Sequence, residues 1–154
     1  MKAKVIGILM TLCLVPPLLA YVPARGPKYV SGQKVRFAPV HIYLDSGGKA
    51  LAAYQFELKA GTGQIKIVGV EGGAHPAFHE APYYDPAALM NDRIIIAAFN
   101  TGHDLPQGRT RIATIHLQIL GDAEPQYELK LVTAADPEGE NLPARLTLET
   151  GEQK

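Results

Sequence analysis

Cysteine and tryptophan are nearly missing from this sequence. Of 154 residues one is cysteine, Cys13, and none is tryptophan. A lone cysteine excludes an internal disulfide framework, so an apolar core rather than covalent staples has to hold the fold. Serine is scarce as well. Ser31 and Ser46 are the only two, both in turn-like sequence, which takes away the usual nucleophile of acyl-transfer enzymes. No excess of one charge exists either, because fifteen basic side chains balance fifteen acidic ones. With no basic patch to neutralise phosphates, nucleic acid is not an expected partner. No convincing long amphipathic helix can be drawn.

One long apolar run is present. "MKAK" is followed by "VIGILMTLCLVPPLLA", residues 5–20 without a charge, and then by "YVPARG". This is the order of basic region, apolar region and small-residue cleavage site in a secretory signal. The run is shorter than the ~20 residues of a spanning helix and is broken at Pro16-Pro17. Residues 1–24 are therefore read as a signal peptide. Cleavage falls after Ala24, with Val22 three positions from the cut, or alternatively after Ala20; an uncleaved anchor is the competing reading. Leu12 ahead of Cys13 argues against lipid modification there. Loss of residues 1–24 removes Cys13, Lys2 and Lys4, leaving 13 basic against 15 acidic side chains and a net charge of −2. The expected location is secreted or periplasmic in a bacterium, with membrane contact only through the export signal.

The remainder divides into a flexible segment at 25–33 and one domain at 34–150. A domain this size can bury roughly two thirds of its unfolded surface. From residue 34 the apolar period is close to two. "KVRFAPVHIYLD" sets Val40, Ile42 and Leu44 against His41 and Tyr43. "LAAYQFELK" sets Tyr54, Phe56 and Leu58 against Gln55, Glu57 and Lys59. "QIKIVGV" is a short β-branched strand. "RTRIATIHLQIL" sets Ala113, Ile115, Leu117 and Ile119 against Thr114, His116 and Gln118. "YELKLVT" and "LPARLTLET" close the series, with Tyr127, Leu129, Leu131, Leu146 and Leu148 inward. Each is a half-buried strand by its alternation. "SGGK" (46–49), "AGTG" (60–63), "GDAEPQ" and "AADPEGEN" are turns. "RIIIAAF" (93–99) is apolar at both parities, so it belongs in a sheet interior or under a loop or partner. At "DPAALMN", Asp85 can cap one helical turn with Pro86 in its first position. The pattern predicts an all-β fold: a two-sheet antiparallel sandwich of jelly-roll type with about nine strands.

The residues able to carry chemistry are read as follows. His75 and His79 in "HPAFH" have a zinc-like spacing, but Pro76 and the preceding glycines put them in a loop, where that spacing has no meaning. His103-Asp104 has no nucleophile to serve. Most carboxylates fall at turns, where solvation explains them, rather than as a glycosidase pair. No catalytic residue, metal or cofactor is expected. The outward rows Gln55, Glu57 and Thr114, His116, Gln118 form the expected partner-binding face, which His41 and Tyr43 could extend. Polysaccharide recognition by ring stacking is the alternative. Tyr54 and Tyr127 are in core register, which leaves Tyr43, Tyr83 and Tyr84, and Tyr83 with Tyr84 are the expected glycan contacts.

Four stretches in order, "LAAYQFELKAGTGQIKIVGVEGG", "RIIIAAFNTGHDLPQG", "TRIATIHLQILGD" and "YELKLVTAADPEGENLP", resemble a cohesin-like domain, of the superfamily that also holds carbohydrate-binding modules. In that family they look like an early strand pair, a middle strand with a glycine-closed loop, a strand of alternating leucines ending in an acidic turn, and a closing hairpin. The resemblance spans residues 35–150. It implies a β-sandwich and a non-catalytic adhesion role in polysaccharide catabolism: a protein partner, dockerin-like, held on one sheet face by an apolar centre and a polar rim. A dockerin itself needs paired calcium loops of the form D-x-[DN]-x-[DN]-G. "DPEGEN" does not meet that pattern, so the resemblance makes this chain the receptor side.

Overall fold

The computed structural model describes residue 32, residues 34–62 and residues 64–151. Residues 1–24, expected to be a signal peptide, and most of the segment at 25–33 lie outside the described residues. Eight strands follow: β1 (Val35–Ala50), β2 (Ala53–Thr62), β3 (Gln64–Gly72), β4 (Tyr83–Tyr84), β5 (Arg93–Phe99), β6 (Gln107–Leu120), β7 (Gln126–Ala135) and β8 (Arg145–Thr150). They form two four-stranded antiparallel sheets, ordered β3-β6-β1-β8 and β4-β5-β2-β7. The two-sheet antiparallel sandwich expected from the two-residue period is the fold, with eight strands against about nine.

The inward sets meet between the sheets. Val40, Ile42 and Leu44 of β1 and Ala113, Ile115, Leu117 and Ile119 of β6 line one inner face; Tyr54, Phe56, Leu58, Ile94 and Ile96 line the other. Burying a side chain of this size stabilises by roughly 1.5–3 kcal/mol. Three β-branched residues in a row give β5 its extended preference. The Phe78 ring, on the 3₁₀ turn Pro76–Phe78, enters this core and meets Tyr54 edge-on at 5.1 Å. Phe78 thereby ties the irregular segment between β3 and β4 to the sandwich.

Connectivity departs from the sequence reading in three places. "SGGK" is not a turn between paired strands. It is an outward excursion inside β1, because Asp45 pairs with Arg109 and Ala50 with Gln107. Positive φ at Gly47 and Gly48 permits this, and Ser46 Oγ holds it, accepting from Gly108 N at 3.0 Å and donating to Lys49 O at 2.6 Å. Second, β2 and β3 do not pair, although both read as one early strand pair; they lie in different sheets. Third, β7 and β8 likewise lie in opposite sheets. The Asp136–Gly139 turn between them closes locally through Gly139 N to Asp136 O at 3.0 Å, so it is a corner rather than a hairpin loop. Among the described strands only β4 and β5 are both consecutive and paired. The capped turn at 85–88 forms as expected, with Asp85 Oδ1 accepting from Ala87 N at 2.9 Å.

Candidate binding face

Side chains on alternate positions of β2, β4, β5 and β7 point away from the core and build the outer face of the second sheet. Register places them in rows. Tyr83, Ala97, Gln55 and Thr133 form one row, and Ile95, Glu57 and Lys130 the next. Phe99 and Ala53 lie beyond the first row, and Arg93 and Lys59 beyond the second. The β4–β5 side of this surface is apolar and open: Tyr83 is 69% exposed, Phe99 64% and Ile95 40%. The Tyr83 and Phe99 rings stack with centroids 6.0 Å apart and planes 11° off parallel. These exposed apolar side chains are gathered on one side of the face rather than scattered singly.

A polar border runs along β2 and β7. Arg93 Nε donates to Glu57 Oε1 at 2.6 Å. That bond, helped by the positive field of Arg93, Lys130 and Lys59, holds the Glu57 carboxyl below its ordinary range, against a smaller opposing effect of desolvation. Thr133 Oγ1 donates to Asn141 Oδ1 at 3.1 Å. Two recesses flank the face. One of about 540 Å³ lies beside Arg93 and Ile95 and is walled by Asp85 and Asp92. The other, about 250 Å³, lies beside Phe99, Ala53 and Pro137.

The expected partner-binding residues do not share one surface. Gln55 and Glu57 belong to β2 and lie on the face just described. Thr114, His116 and Gln118 belong to β6 of the other sheet, so they point out of the opposite side of the sandwich. There Thr114 is only 3% exposed, its Oγ1 lying 3.0 Å from Nδ1 of His41 on the neighbouring strand. His116 Nε2 lies 3.0 Å from Glu71 Oε1 without an aligned hydrogen bond. Gln118 stands between Phe37 and Lys66 in register. His41 and Tyr43 extend this second row, not the first.

The expected tyrosine pair separates too. Adjacent residues of a strand face opposite ways. Tyr83 points outward into the row of Gln55, whereas Tyr84 pairs with buried Ile96 and packs on the core. The structure thus joins Gln55, Glu57 and Tyr83, which the sequence had assigned to two different ligands. Phe99 and Ile95 were missed as site residues; the apolar run at both parities in "RIIIAAF" was the signal that located them. Of the loop histidines, His75 has a local role: its Nδ1 accepts from Ala77 N at 3.2 Å and its Nε2 lies 3.8 Å from Asp104. The chain matches no family model, no curated protein and no solved structure.

Proposed function

We propose that this chain is an exported, non-catalytic binding module of cohesin-like type that docks a partner protein on the outer face of its second sheet. The observation that carries the reading is the Tyr83–Phe99 stack, with both rings more than 60% exposed beside Ile95 and bordered by Glu57, Arg93 and Lys130. An aromatic and aliphatic centre with a charged border is the anatomy of a protein interface. Partner chemistry follows from the border: an apolar knob over Tyr83 and Phe99, with charged groups opposite the Glu57–Arg93 pair and Lys130.

Polysaccharide binding is the second reading, supported by the exposed Tyr83 ring. It is the weaker one on geometry. Tyr83 and Phe99, with centroids only 6.0 Å apart, offer one platform instead of a row of separate ones. The test immobilises the exported protein and a Tyr83→Ser/Phe99→Ser variant of unchanged circular dichroism, then exposes both to the exported proteins of the source cells and to a glycan array. A protein retained by the native surface, lost from the variant and released by calcium chelation supports the docking reading in its dockerin form. Glycan retention lost in the variant supports the alternative. Equal retention by both proteins rules this face out.

A further inference from the structure

On the opposite side of the sandwich, Arg111 has a guanidinium without a counter-charge. Its Nε is shut off from solvent and has no hydrogen-bond acceptor. Among the described residues no carboxylate forms an ion pair with it. The other arginine on this stretch of β6 contrasts with it: Arg109 binds Glu149 at 2.5 Å and lies 3.8 Å above the Tyr43 ring. The residue as a whole is half-buried, but a donor atom closed off from water without an acceptor is unfavourable, so an orphan of this kind asks for an explanation.

Arg111 lines a surface recess of about 590 Å³, together with Val70, Glu71, Ala74, His79 and Ala81. Glycines build its wall. A Cβ on Gly72 would collide with the backbone carbonyl of His79, and one on Gly73 with that of Arg111. Gly73 therefore lies closer to β6, and Gly72 closer to the His79–Glu80 backbone, than a residue with a Cβ could, and Ala74 N donates to Arg111 O at 2.9 Å. Glu71, the acid in the recess, has its Oε1 3.0 Å from His116 Nε2 and forms no ion pair with Arg111.

We infer that this recess is an anion site in which Arg111 receives a carboxylate. A guanidinium presents paired N–H donors that match a carboxylate or a phosphate. Glu71 on the same wall, and the single cation opposing it, disfavour a doubly charged phosphate and leave a monoanion. Val70, Ala74 and Ala81 supply apolar wall for the carbon skeleton that carries it. The site belongs to the first sheet and stands independently of what the second sheet's outer face binds.

The test follows the Arg111 Nε–Hε resonance of the exported protein by NMR during titration with two probes. One is sodium acetate. The other is a Ser-Glu-Ser-Glu-Ser pentapeptide blocked at both ends, so that it carries only side-chain carboxylates. Sodium chloride at equal ionic strength is the control. The expected result is a saturable shift at Arg111 that chloride does not produce, abolished in Arg111→Gln and strengthened several-fold in Glu71→Gln. Acetate and peptide saturating alike would assign a small organic acid. Peptide binding at least about tenfold tighter, ~1.4 kcal/mol, would assign an acidic side chain of a partner. No saturable shift at Arg111 with either probe, or equal binding by a folded Arg111→Gln variant, would overturn the site; the native-protein titration decides if that variant does not fold.

Discussion

The Tyr54 hydroxyl donates to the Ile112 carbonyl at 2.9 Å, across the core from β2 of one sheet to β6 of the other. Ile112 is out of register with β1, since Ile42 pairs with Ala113 and Tyr43 with Arg111. The bond therefore satisfies a backbone group at a ladder irregularity. Burial pushes the Tyr54 hydroxyl pKa well above the ordinary tyrosine value, so it remains a donor through the physiological range. Tyr54→Phe keeps the ring contacts with Phe56 and Phe78 but strands the carbonyl. Urea unfolding is expected to show a loss of about 1–3 kcal/mol with an unchanged m-value. A loss below the error of the measurement would mean that the carbonyl finds another donor.

Gly73→Ala is expected to cost more than its size suggests. The added Cβ meets the Arg111 carbonyl, and Ile112 Cα at 3.0 Å; both belong to β6, which cannot yield without disturbing the core. Overpacking against backbone costs typically about 1–3 kcal/mol. Gly69→Ala is the matched control, because its Cβ would sit at an ordinary 3.7 Å from the His116 ring. Thermal unfolding should separate the two variants by several degrees, with Gly69→Ala near the native value.

The interior was legible in the sequence because a strand's alternation says which of its sides meets the core. Val40, Ile42, Leu44, Phe56, Leu58, Ile115, Leu117 and Ile119 are all buried as their parity requires. Alternation carries no label for the sheet, since both sheets face the same core. Gln55 and His116 thus have the same signature while pointing out of opposite sides. Nor does a Gly-Gly pair say whether the chain reverses or merely loops out, as it does at Gly47 and Gly48. The separation of Tyr83 from Tyr84 needed no structure: two neighbours in a strand cannot serve one surface. Arg111 was invisible, since its lack of a partner depends on where Glu71 and Glu149 point.

Glu57 should leave a trace in the pH dependence of stability. Its folded pKa is lowered, first by the hydrogen bond from Arg93. Its contribution is then present above the unfolded carboxylate pKa and is lost as pH falls through the depressed folded value. In Arg93→Ala the Glu57 carboxyl resonance should titrate closer to the ordinary range, and the fall in stability on the acid side should be shallower. The opposite order of midpoints in the two proteins would remove Arg93 as the cause. Added salt should shrink the difference, because the pair is exposed.

Replacing Tyr83 and Phe99 together by Ser should leave the fold nearly unchanged. A surface aromatic pair contributes about 0.5–1.5 kcal/mol, and both rings lie on the solvent side of β4 and β5, away from the core. Leu117→Ala, fully buried on β6, should by contrast lose about 2–5 kcal/mol. The double variant should also be the more soluble protein, because it removes the two largest exposed rings of the face. Two aromatic side chains kept in water at so small a benefit to the fold fit the proposed docking role. If the double variant were instead as unstable as Leu117→Ala, the rings would belong to the fold, and the proposed docking face would lose its anchor.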